Sequence, residues 1–203
     1  PYDGTAHGAT VAVSTLPKGY TLVTATSNDT ATHVAEGTVT ANCDTLVIRN
    51  AQGEDVTSKL NIRYVDGSIT ITPATLTITT PDASKVYDGE PLTAEGSITG
   101  FVKEETATFV TTGSQTAVDS SKNTYSLTWD GTAVESDYTI SESIGTLTVT
   151  ENTDEIVVTT TGGTFPYDGQ AHGATVTVST LPKGYTLVTA TSDDTATHVL
   201  DGT

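Results

Sequence analysis

The stretch Ile144-Gly145-Thr146-Leu147-Thr148-Val149-Thr150 alternates apolar side chains with threonine, and residues 75–79 repeat the pattern as Thr-Leu-Thr-Ile-Thr. A period of two is typical of an antiparallel strand that buries one face and exposes the other to solvent. Further short strands are predicted between turn signals such as Asp66-Gly67, at residues 11–13, 20–23, 46–48, 107–110 and 125–129. No ten-residue segment shows a helical period. The sequence therefore predicts an all-β fold.

The composition indicates small domains. Threonine occupies 46 of the 203 positions, against three phenylalanines and one tryptophan, and it is β-branched and favours strands. The apolar fraction of 35% is below the usual ~45–50%, so each core must be small. We expect tandem small antiparallel β-sandwich domains of an immunoglobulin-like kind. A β-grasp-like variant stays open, because the sequence does not fix the strand order.

The charge balance excludes two classes of partner. The chain has a formal charge of −17 and only eight lysines and arginines. Nucleic acid and anionic membranes both bind clustered basic residues, so neither is an expected partner. The single Cys43 excludes an intrachain disulfide framework. The sequence has no signal peptide and no apolar run long enough to span a membrane, and we interpret these absences as those of a fragment.

A long internal repeat organises the chain. Residues 1–38 recur at 166–203 with 33 of 38 positions identical, and a diverged copy of their Tyr-Asp-Gly opening lies at 87–89. We therefore predict three units of two alternating types. The first, 1–73, is type A without its opening strand; 74–151 is type B; and 152–203 is the N-terminal part of a second type A. We expect the incomplete units to leave an exposed sheet edge, so that residues 152–203 are either complemented by the first unit of a neighbouring molecule or poorly ordered on their own.

The order of these motifs resembles a known repeat family. The Tyr-Asp-Gly opening, the closing segments 138–140 and 144–150, and the block 113–124 are similar to the YDG/MBG-type tandem repeats of Gram-positive bacterial surface proteins. The resemblance covers essentially the whole chain. It implies an extracellular, cell-wall-anchored protein whose stalk consists of many β-rich modules, and it transfers no catalytic residue.

The three Tyr-Asp-Gly sequences are the first candidate sites. We interpret each as a structural turn, in which the aspartate accepts a backbone hydrogen bond, the glycine adopts a positive φ and the tyrosine packs. The alternative is a site for a sugar or a cation. The residues concerned are Tyr2, Asp3, Gly4, Tyr87, Asp88, Gly89, Tyr167, Asp168 and Gly169.

Two further groups of residues are weaker candidates. Lys85 and Asp137 are candidates for an intramolecular isopeptide bond, which would stiffen a surface stalk. Glu151, Asp154 and Glu155 cluster at one unit boundary, and carboxylate oxygens are ligands that Ca²⁺ favours. No other cofactor and no zinc pattern is predicted.

The repetition indicates a structural role. Catalytic sites rarely recur in near-identical copies, so we do not expect an enzyme. The unit boundaries contain no Gly/Ser-rich linker, which predicts stiff junctions and a spacer that projects an adhesive head. The expected partners are then the neighbouring repeats of the same chain. The alternative function is a multivalent adhesive module that binds host glycan or protein.

Overall fold

The computed structural model describes residues 1–199 and confirms the all-β class. Over residues 1–198 the regular structure consists of short strands and three single-turn 3₁₀ helices, at Val34–Glu36, Thr57–Lys59 and Glu135–Asp137. The strands up to residue 73 are β1 (His7–Gly8), β2 (Tyr20–Thr26), β3 (Thr30–Ala31), β4 (Thr38–Ala41), β5 (Thr45–Asn50) and β6 (Gly67–Thr70).

The remaining strands lie in the second and third predicted repeats. The second contains β7 (Ala74–Thr80), β8 (Ala83–Val86), β9 (Ser97–Thr99), β10 (Thr108–Thr111), β11 (Asp119–Lys122), β12 (Tyr125–Thr128), β13 (Tyr138–Ile144) and β14 (Thr146–Thr150). The third contains β15 (Val158–Thr161), β16 (His172–Gly173), β17 (Thr175–Val178) and β18 (Thr195–Ala196).

These strands group into two compact units. Unit 1 comprises Pro1–Thr79, Gly96–Val110 and Tyr125–Ser143, so it combines the predicted first repeat with part of the second. Unit 2 comprises Thr80–Glu95, Thr111–Thr124 and the chain from Ile144 onward, so it combines the rest of the second repeat with the third. The repeat boundaries after residues 73 and 151 stay predictions from the sequence.

The core of unit 1 is assembled from both of its repeats. Strand β7 buries alternate side chains, and Leu76 and Ile78 are fully inaccessible to solvent, as its alternating sequence predicts. In this unit β7 lies between β13 and β9, while β2 pairs with β5, β4 with β6, β1 with β3 and β10 with β12. The buried cluster consists of Tyr2, Ala31, Ala41, Ile69, Ile71, Leu76, Ala133 and Tyr138.

Unit 2 contains an exception to antiparallel pairing. Its central strand β14 pairs antiparallel with β11 but parallel with β8. Parallel neighbours need a long connection, and some sixty residues separate these two strands in the sequence. Alternation of apolar residues reports which face of a strand is buried and not the direction of its neighbour, so the sequence did not predict this pair.

The buried Asn123 ties three segments of unit 2 together. Its side-chain amide donates to the carbonyl oxygens of Pro81 and Ala94 at 3.1 and 3.0 Å, and its backbone N–H donates to the Gly145 carbonyl at 2.9 Å. Asn123 is fully buried, and a buried polar side chain that keeps its hydrogen bonds holds the segments it joins together, so Asn123 has a structural role.

One predicted strand does not form. Residues 11–13 are irregular, although the equivalent residues of the third repeat, 176–178, belong to β17. Strand β17 pairs with β15, which is the opening strand of its repeat. In the described chain nothing pairs with residues 11–13, and an apolar run without a ladder partner does not become a strand.

Candidate functional site at the junctions between repeats

The three Tyr-Asp-Gly turns share one local geometry. In each, the aspartate accepts a hydrogen bond from the backbone N–H two residues further on, at 2.9, 3.0 and 2.9 Å. The following glycine has a φ of 69°, 82° and 78° in chain order. This is an Asx turn closed by a residue in the left-handed region, where glycine is favoured. Hydrogen bonds from Thr5, above all from its hydroxyl, and from His7 hold the pKa of Asp3 well below its usual range.

The tyrosine of the first turn is part of a contact between two repeats. Tyr2 is 4% exposed, its ring packs edge-on against Tyr138 at 5.7 Å, and its hydroxyl donates to Glu105. The Tyr138 hydroxyl donates to the other oxygen of the same carboxylate at 2.5 Å and accepts from the Val102 backbone N–H at 2.9 Å. One glutamate of the second repeat therefore bridges a tyrosine from each side of the junction.

Burial and the shared carboxylate change the acidity of both phenols. The pKa of Tyr138 is raised to about 12, first by burial and then by its hydrogen bond to Glu105. The pKa of Tyr2 is raised for the same two reasons. Both hydroxyls therefore stay protonated and able to donate over the physiological pH range.

A buried carboxylate completes this junction. Asp137 is inaccessible to solvent and accepts hydrogen bonds from the Val34 backbone N–H at 2.7 Å and from His33 Nδ1 at 2.6 Å. The His33 ring also stacks on Tyr2 at 5.6 Å. The hydrogen bond to Asp137 raises the pKa of His33, although partial burial opposes the shift. The first repeat thus provides the hydrogen bonds that water would otherwise provide to the Asp137 carboxylate. Opening the junction would break these hydrogen bonds and expose the carboxylate to water.

The glycine of the same turn contacts a lysine of the next repeat. Lys103 Nζ donates to the Gly4 carbonyl oxygen at 2.6 Å, and a Cβ on Gly4 would lie 3.2 Å from Lys103 Cδ. Lys103 belongs to a turn that the Glu105 N–H closes onto the Val102 carbonyl at 3.1 Å. The first turn therefore packs against a defined turn of the second repeat.

Unit 2 contains an equivalent junction between the second and third repeats. Tyr87 packs edge-on against Tyr185 at 5.4 Å, and Lys183 Nζ lies 3.6 Å from a Glu90 carboxylate oxygen. A Cβ on Gly184 would lie 2.6 Å from the Asp88 carbonyl carbon. The second Tyr-Asp-Gly turn therefore packs against the turn at residues 182–185, which Tyr185 N–H closes onto the Pro182 carbonyl at 3.3 Å.

Both junctions use the same two positions of the repeat. The contacted turn begins fifteen residues after the tyrosine of its own Tyr-Asp-Gly sequence in every repeat, at residues 17, 102 and 182, and its second residue is always lysine. The sequence alone did not identify Lys103 or Glu105 as site residues. The lysine at a constant spacing, recurring even in the diverged repeat, was the signal that could have found this turn.

The candidates for an isopeptide bond have other partners. Lys85 lies in unit 2, where its Nζ donates to Asp88 and to the Glu90 carbonyl, both at 2.5 Å. Asp137 lies in unit 1 with the partners described above. The pairing of Lys85 with Asp137 stays a prediction.

The calcium candidates are not gathered into a ligand cluster. In residues 1–199 no group of three or more His, Cys, Asp or Glu side chains lies close enough to hold a metal ion. Glu151, Asp154 and Glu155 are exposed, and the Asp154 N–H is bonded to Asn152 Oδ1 at 2.8 Å.

One of three comparisons with known proteins gave a match, and it covers the second repeat. Residues 76–148 match the family described as "MBG domain (YGX type)", which confirms the resemblance to MBG-type repeats for this segment. The segment is thus similar to a repeat module of extracellular proteins, a kind of all-β module that is typically non-catalytic. The comparison with curated proteins gave no match, and the comparison with solved structures gave none either. Among residues 1–199 no helix has the length and apolar character needed to cross a membrane.

Proposed function

We propose that this chain is a non-catalytic spacer in the stalk of a bacterial surface protein, which holds an adhesive head away from the cell wall. The MBG-type repeat in its centre and the near-identity of residues 1–38 with residues 166–203 both support a modular array. In such an array each repeat interacts with its neighbours, and stability is a sum of repeat and junction contributions.

The observation that carries the proposal is the contact of Asp137 with the first repeat. This carboxylate has no exposure to solvent, and its two hydrogen-bond donors both come from the repeat before it. A buried charge that loses its partners destabilises a protein strongly. Bending the junction would separate Asp137 from these donors, so the contact resists bending.

The aromatic and lysine contacts also resist bending of the junction. Tyr2 and Tyr138 share one carboxylate, and Lys103 bonds to the preceding turn. These contacts come from separate segments of the second repeat, so a hinge motion cannot preserve all of them. A spacer needs such multi-point contacts because its function is to keep a fixed distance under load.

Small-angle scattering with a binding screen separates the spacer from the adhesive alternative. The spacer predicts that the scattering curve of the chain is unchanged between low and high salt, and that no binding appears on glycan and host-protein arrays. A Tyr2→Ala, Asp137→Asn double variant should broaden the distance distribution without a loss of strand content. Specific binding to one glycan by a chain with flexible junctions would instead favour the multivalent adhesive module.

A further inference from the structure

The two junctions use different chemistry at equivalent positions. In the second repeat the contacting surface consists of Glu105, Asp137 and Tyr138, which we call the acid face. The equivalent positions of the first repeat are Tyr20, Lys59 and Leu60. The equivalence is structural: Tyr20 N–H closes its turn onto Pro17, as Glu105 N–H does onto Val102. Leu60 and Tyr138 also occupy the same place in their repeats. Each directly follows a three-residue 3₁₀ helix that is preceded by a valine, Val56 or Val134.

At this surface a type A repeat lacks the two carboxylates to which the tyrosine and histidine of another type A repeat would donate. The tyrosine and histidine that dock onto the acid face donate hydrogen bonds to its two carboxylates. At the equivalent positions type A presents a phenol and a lysine, neither of which is an anion. An imidazolium placed against Lys59 would meet a like charge where it meets Asp137 in the observed junction.

The second junction has its own pairing. Tyr185, which is the third-repeat equivalent of Tyr20 and Glu105, contacts the ring of Tyr87 and not a carboxylate. A type B repeat therefore docks onto type A through two aromatic rings and the ion pair of Glu90 with Lys183, whereas type A docks onto type B through phenol, imidazole and carboxylate groups. The two junctions therefore differ in chemistry, and each joins repeats of different type.

The third repeat presents the docking groups of type A in the arrangement of the first repeat. Tyr167 and His198 stack at 5.9 Å with an interplanar angle of 24°, against 5.6 Å and 29° for Tyr2 and His33. Tyr167 is 64% exposed, whereas Tyr2 is 4% exposed beneath the acid face. Tyr2 is thus covered by a type B repeat in unit 1, whereas the equivalent Tyr167 is exposed in unit 2.

We propose that the face formed by Tyr167 and His198 is a docking site for a type B repeat, that is, for a domain carrying the acid face of residues 74–151, and that it does not accept a type A repeat. The inference rests on the proposed spacer function and adds a rule for assembly: the junction chemistry enforces alternation of the two repeat types.

The test extends the full chain in two ways. In the alternating chain, residues 1–203 are followed by a copy of 39–151, which completes the third repeat and places a type B repeat after it. In the control chain, residues 1–203 are followed by copies of 39–73, 152–165 and 1–73, which place a type A repeat there. Hydroxyl-radical footprinting with mass spectrometry then measures the modification of Tyr167, whose peptide differs from that of Tyr2 at Gln170.

In the alternating chain the modification rate of Tyr167 should fall about tenfold relative to the 203-residue chain, toward that of Tyr2, because a docked partner excludes water. In the control chain it should stay near its original value. A version of the alternating chain with Glu105→Tyr and Asp137→Lys in the added copy only should lose the protection. Amide exchange in the sheets of that copy establishes that it is folded.

Equal protection in the alternating and control chains would overturn the alternation rule and leave the spacer intact. Absence of protection in the alternating chain would overturn the docking site itself. The stiffness of the junction between the first two repeats is measured independently in the 203-residue chain, so a failure of the spacer proposal is distinguishable from both results.

Discussion

The first and third repeats have nearly the same sequence over 38 residues and opposite environments at their two ends. In the first repeat the Tyr-Asp-Gly end is covered and Tyr2 is buried, while Gly19, at the other end, has no atom within 4 Å of an added Cβ. In the third repeat Tyr167 is exposed and Gly184, the equivalent of Gly19, packs on Asp88. The repeat sequence can therefore form contacts at either of its two ends. The position of the neighbouring repeat determines which end is buried.

This reversal provides matched controls for every junction contact. A substitution at a covered position changes both the junction contact and the stability of its own turn. The same substitution at the equivalent uncovered position changes only the stability of the turn. The difference between the two measures the junction, because the chain around the two sites is almost identical.

The largest difference is expected for the tyrosines. Tyr2→Ala should lower the unfolding free energy of unit 1 by about 3 kcal/mol, because it truncates a buried aromatic side chain. Tyr167→Ala should cost less than about 1 kcal/mol, as exposed substitutions usually do. Urea denaturation followed by Trp129 fluorescence reports on unit 1, since Trp129 stacks on Tyr138, and amide exchange reports on unit 2. Equal losses at the two positions would show that Tyr2 contributes through its own turn and not through the junction.

The glycine pair tests the second junction. Gly19 and Gly184 have φ values of 92° and 89°, so replacement by alanine strains both backbones to the same degree, by about 1 kcal/mol. In Gly184→Ala the new Cβ would also lie 2.6 Å from backbone atoms of Asp88 and Gly89. We expect an additional loss of about 2 kcal/mol, as for other overpacked sites. Amide exchange of β8 and β14 measures the loss caused by Gly184→Ala in unit 2, and denaturation followed at Trp129 measures the loss caused by Gly19→Ala in unit 1. A loss for Gly184→Ala no larger than that for Gly19→Ala would contradict this contact.

The buried carboxylate gives a smaller effect. Asp137→Asn keeps an oxygen that can accept from the Val34 N–H and removes the charge that pairs with His33, so we expect a loss of about 1–2 kcal/mol in unit 1. Glu135→Gln, an exposed change in the same 3₁₀ helix, is the control and should be nearly neutral. Denaturation monitored at Trp129 compares the two. If Glu135→Gln were as destabilising as Asp137→Asn, the 3₁₀ helix and not the junction would be responsible.

The smallest effect is a pH dependence of the first junction. Its His33 pKa is raised above the ordinary value of 6.5 by Asp137, with smaller contributions from Glu36 and Glu105. The added stability is therefore complete below pH 6.5 and is lost as the pH rises through the raised pKa. Because His33 is partly exposed, we expect only about 0.5 kcal/mol. Comparing the chain with His33→Gln at pH 6 and pH 9 should reveal it, and a gap that widens at pH 9 would reverse the assigned sign.

The sequence predicted the strands with clear alternation and missed what depends on pairing partners. Residues 75–79 and 146–150 are strands as predicted, because a half-buried strand has its own periodic pattern. Residues 11–13 have a similar pattern and form no strand, since their equivalents in the third repeat pair with its opening strand β15 and residues 11–13 have no such partner among the described residues. Alternation is a local property, whereas a ladder also needs a neighbour.

The junction was harder to predict for the same reason. The Tyr-Asp-Gly turn is local, and its aspartate and glycine could be interpreted from the sequence alone. Glu105 and His33 have no neighbours in the sequence that distinguish them from other exposed polar residues. Their role arises only when two repeats meet, and Asp137 becomes a buried acceptor only in that contact.

The stiffness of the junction between the first and second repeats is the central claim, and a distance distribution tests it most directly. Spin labels at Gln52→Cys and Ser126→Cys, two exposed positions of unit 1 in different repeats, would be measured by double electron–electron resonance in a Cys43→Ser background. We predict one narrow distance peak in this chain and a clearly broader distribution after Tyr2→Ala and Asp137→Asn are added. A broad distribution in the chain with the intact junction, unchanged by those two substitutions, would contradict a spacer held by these contacts.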